Sequence, residues 1–252
     1  MNKKIAIFTQ TYSNSRKELY EYHNLDINDI NFRNNFDINI YSFHNSFEQY
    51  QSEIKSSSYI KSLDNIKFIE YNDMYYTQTW KKSIFYMKSI GITHIIFLQD
   101  DCFCFNSLKI NNIIDFIKNE KFDMLNIECS FSDLNKKEKN IFYSNQYISI
   151  YNTNSTDFVN RGWYSFDDGP YVASIDYIES LIYDDIYYTT GDIWMAENYL
   201  NNKIKNKNIQ RLTTDFPIYK RFNIIGPNNW NRINELNELK NNLLNDKKYS
   251  SI

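Results

Sequence analysis

Apolar residues fall into short continuous runs at positions 5–8, 36–41, 66–71, 95–98 and 122–127, and the segments between them carry helical spacing or helix-forming composition. Runs of this length suit strands, and strands alternating with helices imply βαβ units in a mainly parallel sheet. The run Ile95-Ile96-Phe97-Leu98 is continuous and not alternating, which suits a strand buried on both faces. Ahead of it, Trp80, Ile84, Met87 and Ile90 recur at steps of four, three and three and end at Gly91, which predicts a helix with a glycine C-cap. Beyond residue 130 the pattern predicts strands at 146–151 and 171–175, a loop over 152–170 and a helix over 192–203. Ile233, Leu236, Leu239 and Leu243 predict a terminal amphipathic helix packed back on the body.

The apolar run at 95–98 stops at Gln99 and two adjacent carboxylates, Asp100 and Asp101. Ligands of open α/β sheets gather where parallel strands end. Divalent cations in phosphate chemistry are held by one or two carboxylates, and water and diphosphate oxygens fill the remaining positions. The pair therefore reads as a seat for Mn2+ or Mg2+. Its alternative reading is a solvated Asp-Asp turn or helix cap.

Composition narrows the class. With 252 residues, 42% of them hydrophobic and 17% aromatic, the chain is long and apolar enough to bury a sizeable core. Five glycines and three prolines leave no room for long flexible linkers. The net charge of -3, with no dense Lys/Arg patch, argues against a nucleic-acid partner. Cys102, Cys104 and Cys129 are odd in number and lack framework or zinc spacing, so they read as reduced thiols of a cytoplasmic protein. The apolar run at the N-terminus is too short for a signal-peptide core, and no stretch reaches transmembrane length.

Three stretches together resemble a known family. IAIFTQTYSNSR opens the chain, HIIFLQDD carries the acid pair, and GPYVASIDYIESL is followed by TTGDIWMAENYL. This set is similar to the nucleotide-sugar-dependent glycosyltransferases of the GT-A fold. The resemblance implies a Rossmann-like α/β single domain with a mainly parallel central sheet flanked by helices. It implies a donor half over residues 1–129, which ends in the metal motif and the strand after it. An acceptor half with the C-terminal helix would follow over 130–252, in one continuous domain. It further implies a UDP- or GDP-sugar donor, a glycan or other hydroxyl acceptor, and Mn2+ or Mg2+. The family's metal motif is Asp-x-Asp or Glu-Asp-Asp, and here the triplet is Gln99-Asp100-Asp101, without the first acid. By that match Asp101 takes the metal and Asp100 contacts the donor.

The same resemblance assigns the general base of an inverting reaction to Asp192, in the Gly191-Asp192 pair that opens the late helix. A base held at a helix start is rigidly placed to take the acceptor proton. The alternatives are Asp192 as a helix-terminal residue favoured by the macrodipole, with Glu197 as reserve base, a retaining transferase in which Asp192 positions substrate, and a non-catalytic nucleotide- or glycan-binding relative. On the donor side, Thr9, Thr11 and Tyr12 offer hydroxyls and an aromatic face for base and ribose, and Arg16 a cation for phosphate. Ser13, Asn14 and Ser15 suit helix capping. His44 and Asn45 follow the second strand towards the base. Trp80 reads as core, Lys81 as a phosphate contact or a solvated lysine, and His94 as structural. Trp163, Asp168 and Gly169 are the acceptor-loop candidates, with a β-turn as their alternative. Lys220 and Arg221 would neutralise the diphosphate.

Overall fold

A computed structural model describes residues 3–11, 19–44, 48–71, 76–104, 107–128, 141–152, 170–182, 210–214, 218–221, 234 and 237–241. The strands are β1 (Ile5–Thr11), β2 (Ile38–His44), β3 (Ile66–Tyr71), β4 (His94–Gln99), β5 (Cys102–Cys104), β6 (Met124–Asn126), β7 (Ile141–Ser144), β8 (Ser149–Asn152), β9 (Tyr171–Ser174), β10 (Arg211–Thr214) and β11 (Tyr219–Arg221). The helices are α1 (Leu19–His23), α2 (Ile27–Asn34), α3 (Glu48–Ser56), α4 (Ser58–Lys61), α5 (Tyr76–Ser89), α6 (Ser107–Asn119) and α7 (Ile175–Ile182).

Among the described residues, nine strands form one sheet in the order β3-β2-β1-β4-β9-β6-β10-β8-β7. β1, β2, β3 and β4 run parallel; β9 opposes both β4 and β6, and β8 opposes both β10 and β7. With β10 parallel to β6, seven of the nine strands point one way, so the sheet is mainly parallel. β9 is inserted between β4 and β6, so late chain is woven into the middle of the sheet.

Burial explains the continuous apolar runs. Ile5, Ile7, Ile96 and Leu98 join one core with Ile113, Phe116 and Ile117 of α6. Their neighbours Ala6, Phe8, Ile95 and Phe97 join a second core with Trp80, Ile84 and Met87 of α5 and Ile178 and Leu181 of α7. Successive strand residues point to opposite faces, so a strand covered by helices on both sides must be apolar at every position. A third core gathers Tyr20, Tyr41, Phe43, Ile54, Tyr59 and Ile60 under α3 and α4.

α5 stops where the sequence places its cap. Gly91 adopts φ of 81°, its N–H donates to Lys88 O at 3.0 Å, and the Ile92 N–H donates to Met87 O at 3.0 Å. This is the paired hydrogen-bond closure of a helix by a left-handed residue. A Cβ at Gly91 would meet nothing within 4 Å, so only the backbone conformation resists substitution. Gly91→Ala is expected to lower stability by about 1 kcal/mol, seen as a melting temperature lower by about 2–4 °C. An unchanged melting temperature would show that the cap contributes nothing.

Several strand boundaries differ from those expected. β2 begins at Ile38 and not at 36, because Phe36 and Asp37 turn the chain out of α2, with Phe36 N–H donating to Arg33 O and Asp37 N–H to Ile5 O. β6 is confined to Met124–Asn126, β8 begins at Ser149, and Ile175 opens α7 instead of closing β9. Leu239 is buried against Leu19 and Phe103 and residues 237–241 are helical, so this part of the terminal stretch packs on the body, while Ile233, Leu236 and Leu243 lie outside the described residues. No helix among the described residues is long and apolar enough to cross a membrane. The helix expected over 192–203, and Cys129, lie outside the described residues.

Candidate functional site

β1 and β4 pair in parallel with Gln10 opposite Gln99, so both strands end at the same edge of the sheet. The chain leaves β4 through Asp100 and Asp101, each only 1% exposed, and turns at once into β5. Across the edge, the Thr11 hydroxyl donates to Asp100 Oδ2 at 2.6 Å. Gln10 Nε2 donates to the buried Thr79 hydroxyl at 2.6 Å, which ties the start of α5 to the same corner. Two adjacent buried carboxylates repel one another and lose hydration, and a cation relieves both costs.

The donor set fits a hard divalent ion. Both acids supply oxygen, as Mn2+ and Mg2+ prefer. Among the described residues no group of three or more His, Cys, Asp or Glu side chains is arranged to hold a metal. At this edge Asp100 and Asp101 are carboxylates that could take part in holding such an ion together with substrate oxygens and water. Cys102 and Cys104 are buried within the core on the α6 side.

Beneath the acid turn lies a polar network that sequence reasoning missed. Asp26 caps α2, accepting from the Asp29 N–H at 3.0 Å, and its other oxygen accepts from the Cys104 N–H at 2.9 Å. Asp29 receives Arg33 Nε at 2.8 and 3.0 Å, the Tyr59 hydroxyl at 2.5 Å and the Tyr219 hydroxyl at 2.6 Å. Arg33 Nη1 donates to the Thr9 hydroxyl at 2.9 Å. His23 Nε2 lies 2.8 Å from Asp100 O, and its ring stacks on Phe103 at 4.2 Å and on Tyr59 at 4.7 Å. Since a carbonyl only accepts, Nε2 carries the proton of that bond. β11 joins the same assembly by pairing antiparallel with β5, Tyr219 opposite Cys104.

Charges in this network are set by burial. Burial pushes His23 down to about 4, against the attraction of Asp29. Burial and the Asp29 charge push the Asp26 carboxyl up to about 8, against its two N–H donors. For Asp29 burial acts upward, but Arg33, with help from the Tyr219 and Tyr59 hydroxyls, outweighs it and holds the carboxyl below its ordinary value. His23 is therefore neutral and Asp29–Arg33 is a buried ion pair.

Of the expected donor-side residues, the structure brings Thr11, Asp100 and Asp101 together at the strand edge. Thr9 is turned inward and serves Arg33. Lys81 lies part-exposed on α5, its ammonium 5.5 Å from the Phe85 ring centroid. Trp80 is buried in the core, as its place in the apolar stripe predicts. Lys220 is bonded to Glu238 of the terminal helix. The side chains of His44 and Arg221 lie outside the described residues, as do Tyr12, Arg16, Asn45, Trp163, Asp168, Gly169, Asp192 and Glu197. A groove of about 570 Å³ lined by Lys3, Asp37 and Lys118 sits at the opposite end of β1. There Lys3 donates to Ile117 O and Glu120 O at the end of α6.

No family model and no curated protein matches the chain. Solved structures do resemble it. A 4-diphosphocytidyl-2C-methyl-D-erythritol synthase from Anaerococcus prevotii aligns over 94% of this chain and 96% of its own, with TM-score 0.52 and 9% identity. The mannosyltransferase PcManGT from Pyrobaculum calidifontis, solved with GDP-Man and Mn2+, aligns over 86% of this chain and 55% of its own, with TM-score 0.51 and 10% identity. Residues 1–349 of S. aureus TarS align over 96% of this chain and 71% of that one, with TM-score 0.51 and 13% identity. At these identities the likeness is one of fold. The chain has the GT-A-like α/β fold, which glycosyl- and nucleotidyltransferases share.

Proposed function

We propose that the chain is a metal-dependent glycosyltransferase that moves a sugar from a UDP- or GDP-sugar to a hydroxyl of a glycan or other acceptor. The observation that carries this reading is the buried Asp100–Asp101 pair at the end of β4, with Thr11 of β1 hydrogen-bonded to it. In this reading Asp101 holds Mn2+ or Mg2+ and Asp100 contacts the donor. The ion supplies positive charge where the departing diphosphate becomes more negative. Thr11, Tyr12, Arg16 and Lys81 bind the nucleotide, Thr9 keeps β1 in place through Arg33, and Trp163, Asp168 and Gly169 bind the acceptor. Asp192 takes the acceptor hydroxyl proton as its oxygen bonds to the anomeric carbon and the bond to the diphosphate oxygen breaks, with inversion. Residues 1–129 thus form the donor half and 130–252 the acceptor half of one domain, in the cytoplasm.

A second reading rests on a specific observation: the fold neighbours include a cytidylyltransferase-type synthase. Residues 12–18, YSNSRKE, contain no glycine, whereas a loop that wraps a triphosphate through backbone N–H groups commonly needs several. This favours a diphosphate-sugar donor over a triphosphate. A thermal-shift screen of nucleoside diphosphates, nucleotide sugars and nucleoside triphosphates with and without Mn2+ separates the two. The expected result is a metal-enhanced rise of several degrees with one UDP or GDP class, followed by diphosphate release when that sugar nucleotide is turned over. Stabilisation by a triphosphate alone, with pyrophosphate release on adding a sugar phosphate, would overturn the transfer reading.

A further inference from the structure

The geometry points to His23 as a positioning residue that holds the Asp100 peptide, and so sets the direction in which the acid pair projects. The inference rests on the proposed donor site and extends it to a residue outside that site. His23 lies on α1 and is separated from Asp100 by 77 residues, yet its Nε2–H meets the Asp100 carbonyl at 2.8 Å in a buried setting.

Three features fix the donor. The ring is clamped between Phe103 and Tyr59, with interplanar angles of 16° and 26°, so it has little freedom to rotate away. Phe103 follows the acid pair by two residues, so the same imidazole holds the turn by its edge and the next strand by its face. Nδ1 lies 3.9 Å from Asp29 Oδ2, too far for a hydrogen bond, which leaves Nε2 as the ring atom bonded to a partner. Asp26, three residues after His23 and the N-cap of α2, grips the Cys104 N–H. The β4–β5 turn is thus held at both ends, at Asp100 by His23 and at Cys104 by Asp26.

A carbonyl anchored in this way restricts ψ of Asp100 and the peptide plane ahead of Asp101. Both carboxylates inherit that restriction. Sites of this kind lose function when their supporting bonds are lost even though every contacting group remains.

Two substitutions separate the hydrogen bond from the ring stack. His23→Phe keeps an aromatic ring between Phe103 and Tyr59 and removes the donor; His23→Gln keeps an N–H near the Nε2 position and removes the ring. Calorimetric titration with UDP and GDP, with and without Mn2+, measures each variant below its melting temperature. The expected result is a Kd in Mn2+ weakened about tenfold in His23→Phe, as loss of one buried hydrogen bond implies, with metal-free binding unchanged. His23→Gln is expected to keep the wild-type Kd despite a lower melting temperature. Wild-type affinity in His23→Phe overturns the inference, and so does equal weakening in both variants, since a ring-packing role predicts that. If His23→Phe does not fold, His23→Gln decides: an unchanged Kd supports the donor role and a tenfold loss overturns it. A wild-type protein that binds neither nucleotide with Mn2+ overturns the donor site itself, and this inference with it.

Discussion

Replacing Asp101 with asparagine is expected to reduce kcat for sugar transfer by about a hundredfold or more while leaving the fold as stable as before or more so. The two halves of that expectation have one cause. Asp100 and Asp101 are adjacent and each is 1% exposed, so in the absence of a cation their charges are desolvated and oppose one another. Removing one charge relieves that repulsion. The same charge is the proposed seat of the ion that faces the leaving diphosphate. Removing a single preorganised electrostatic partner of a developing charge lowers turnover by about 10²–10³-fold. Asp101→Asn should therefore lose the Mn2+-dependent thermal shift with nucleoside diphosphate and keep or exceed the wild-type melting temperature without ligand. Retention of kcat within about threefold, with an intact Mn2+-dependent shift, would remove Asp101 from the metal position. A variant that simply unfolds would mark the residue as structural.

The features that carry this expectation were readable in the sequence because burial on two faces leaves a plain mark. β4 is apolar at every position from Ile95 to Leu98, since alternate residues enter different cores, and its apolar run ends where the sheet ends. The stripe from Trp80 to Ile90 and the glycine that ends it were equally legible, because helix spacing and a left-handed cap are local properties. What the sequence concealed was everything decided by distant pairing. β5 and β11 are three residues each, too short for a periodic signal, and they exist because they pair with one another. β10, Arg211–Thr214, has a single strongly apolar residue and is held by β6 and β8.

The buried network escaped for the same reason. His23, Asp26, Asp29 and Arg33 lie in a stretch whose polar residues suit a solvated helix face, and an Asp and an Arg four apart are an ordinary surface pair. Their burial follows from Tyr59, 30 residues from Asp29, and Tyr219, 190 residues away. One local signal was available: Asp26, three residues before Asp29, has the N-cap spacing seen in α2.

Asp29→Asn is expected to lower folding stability by about 3 kcal/mol or more, a large part of the 5–15 kcal/mol of a typical domain. The substitution preserves shape, so the loss is electrostatic. Arg33 is 1% exposed and Asp29 is its charge partner at 2.8 Å; with an amide there, the guanidinium stays buried and charged without the carboxylate it bonds to. Arg33 has no escape by deprotonation, because a guanidinium stays protonated at any pH a folded protein meets. The amide also presents N–H groups where Arg33 Nε, the Tyr59 hydroxyl and the Tyr219 hydroxyl all donate, so at least one of these donors loses its acceptor. Arg33→Met is expected to cost less, since a carboxyl freed of its cation can take up a proton and still accept from both tyrosines. Asp29→Asn/Arg33→Met should then be more stable than Asp29→Asn alone, because the uncompensated charge has gone. Urea unfolding followed by circular dichroism reads each difference as a shift of midpoint at constant slope. A double variant whose loss equals the sum of the single losses would show that the pair is not coupled. An Asp29→Asn loss below about 1 kcal/mol would place the pair in the range of exposed surface ion pairs and remove it as the anchor between β11 and the acid turn.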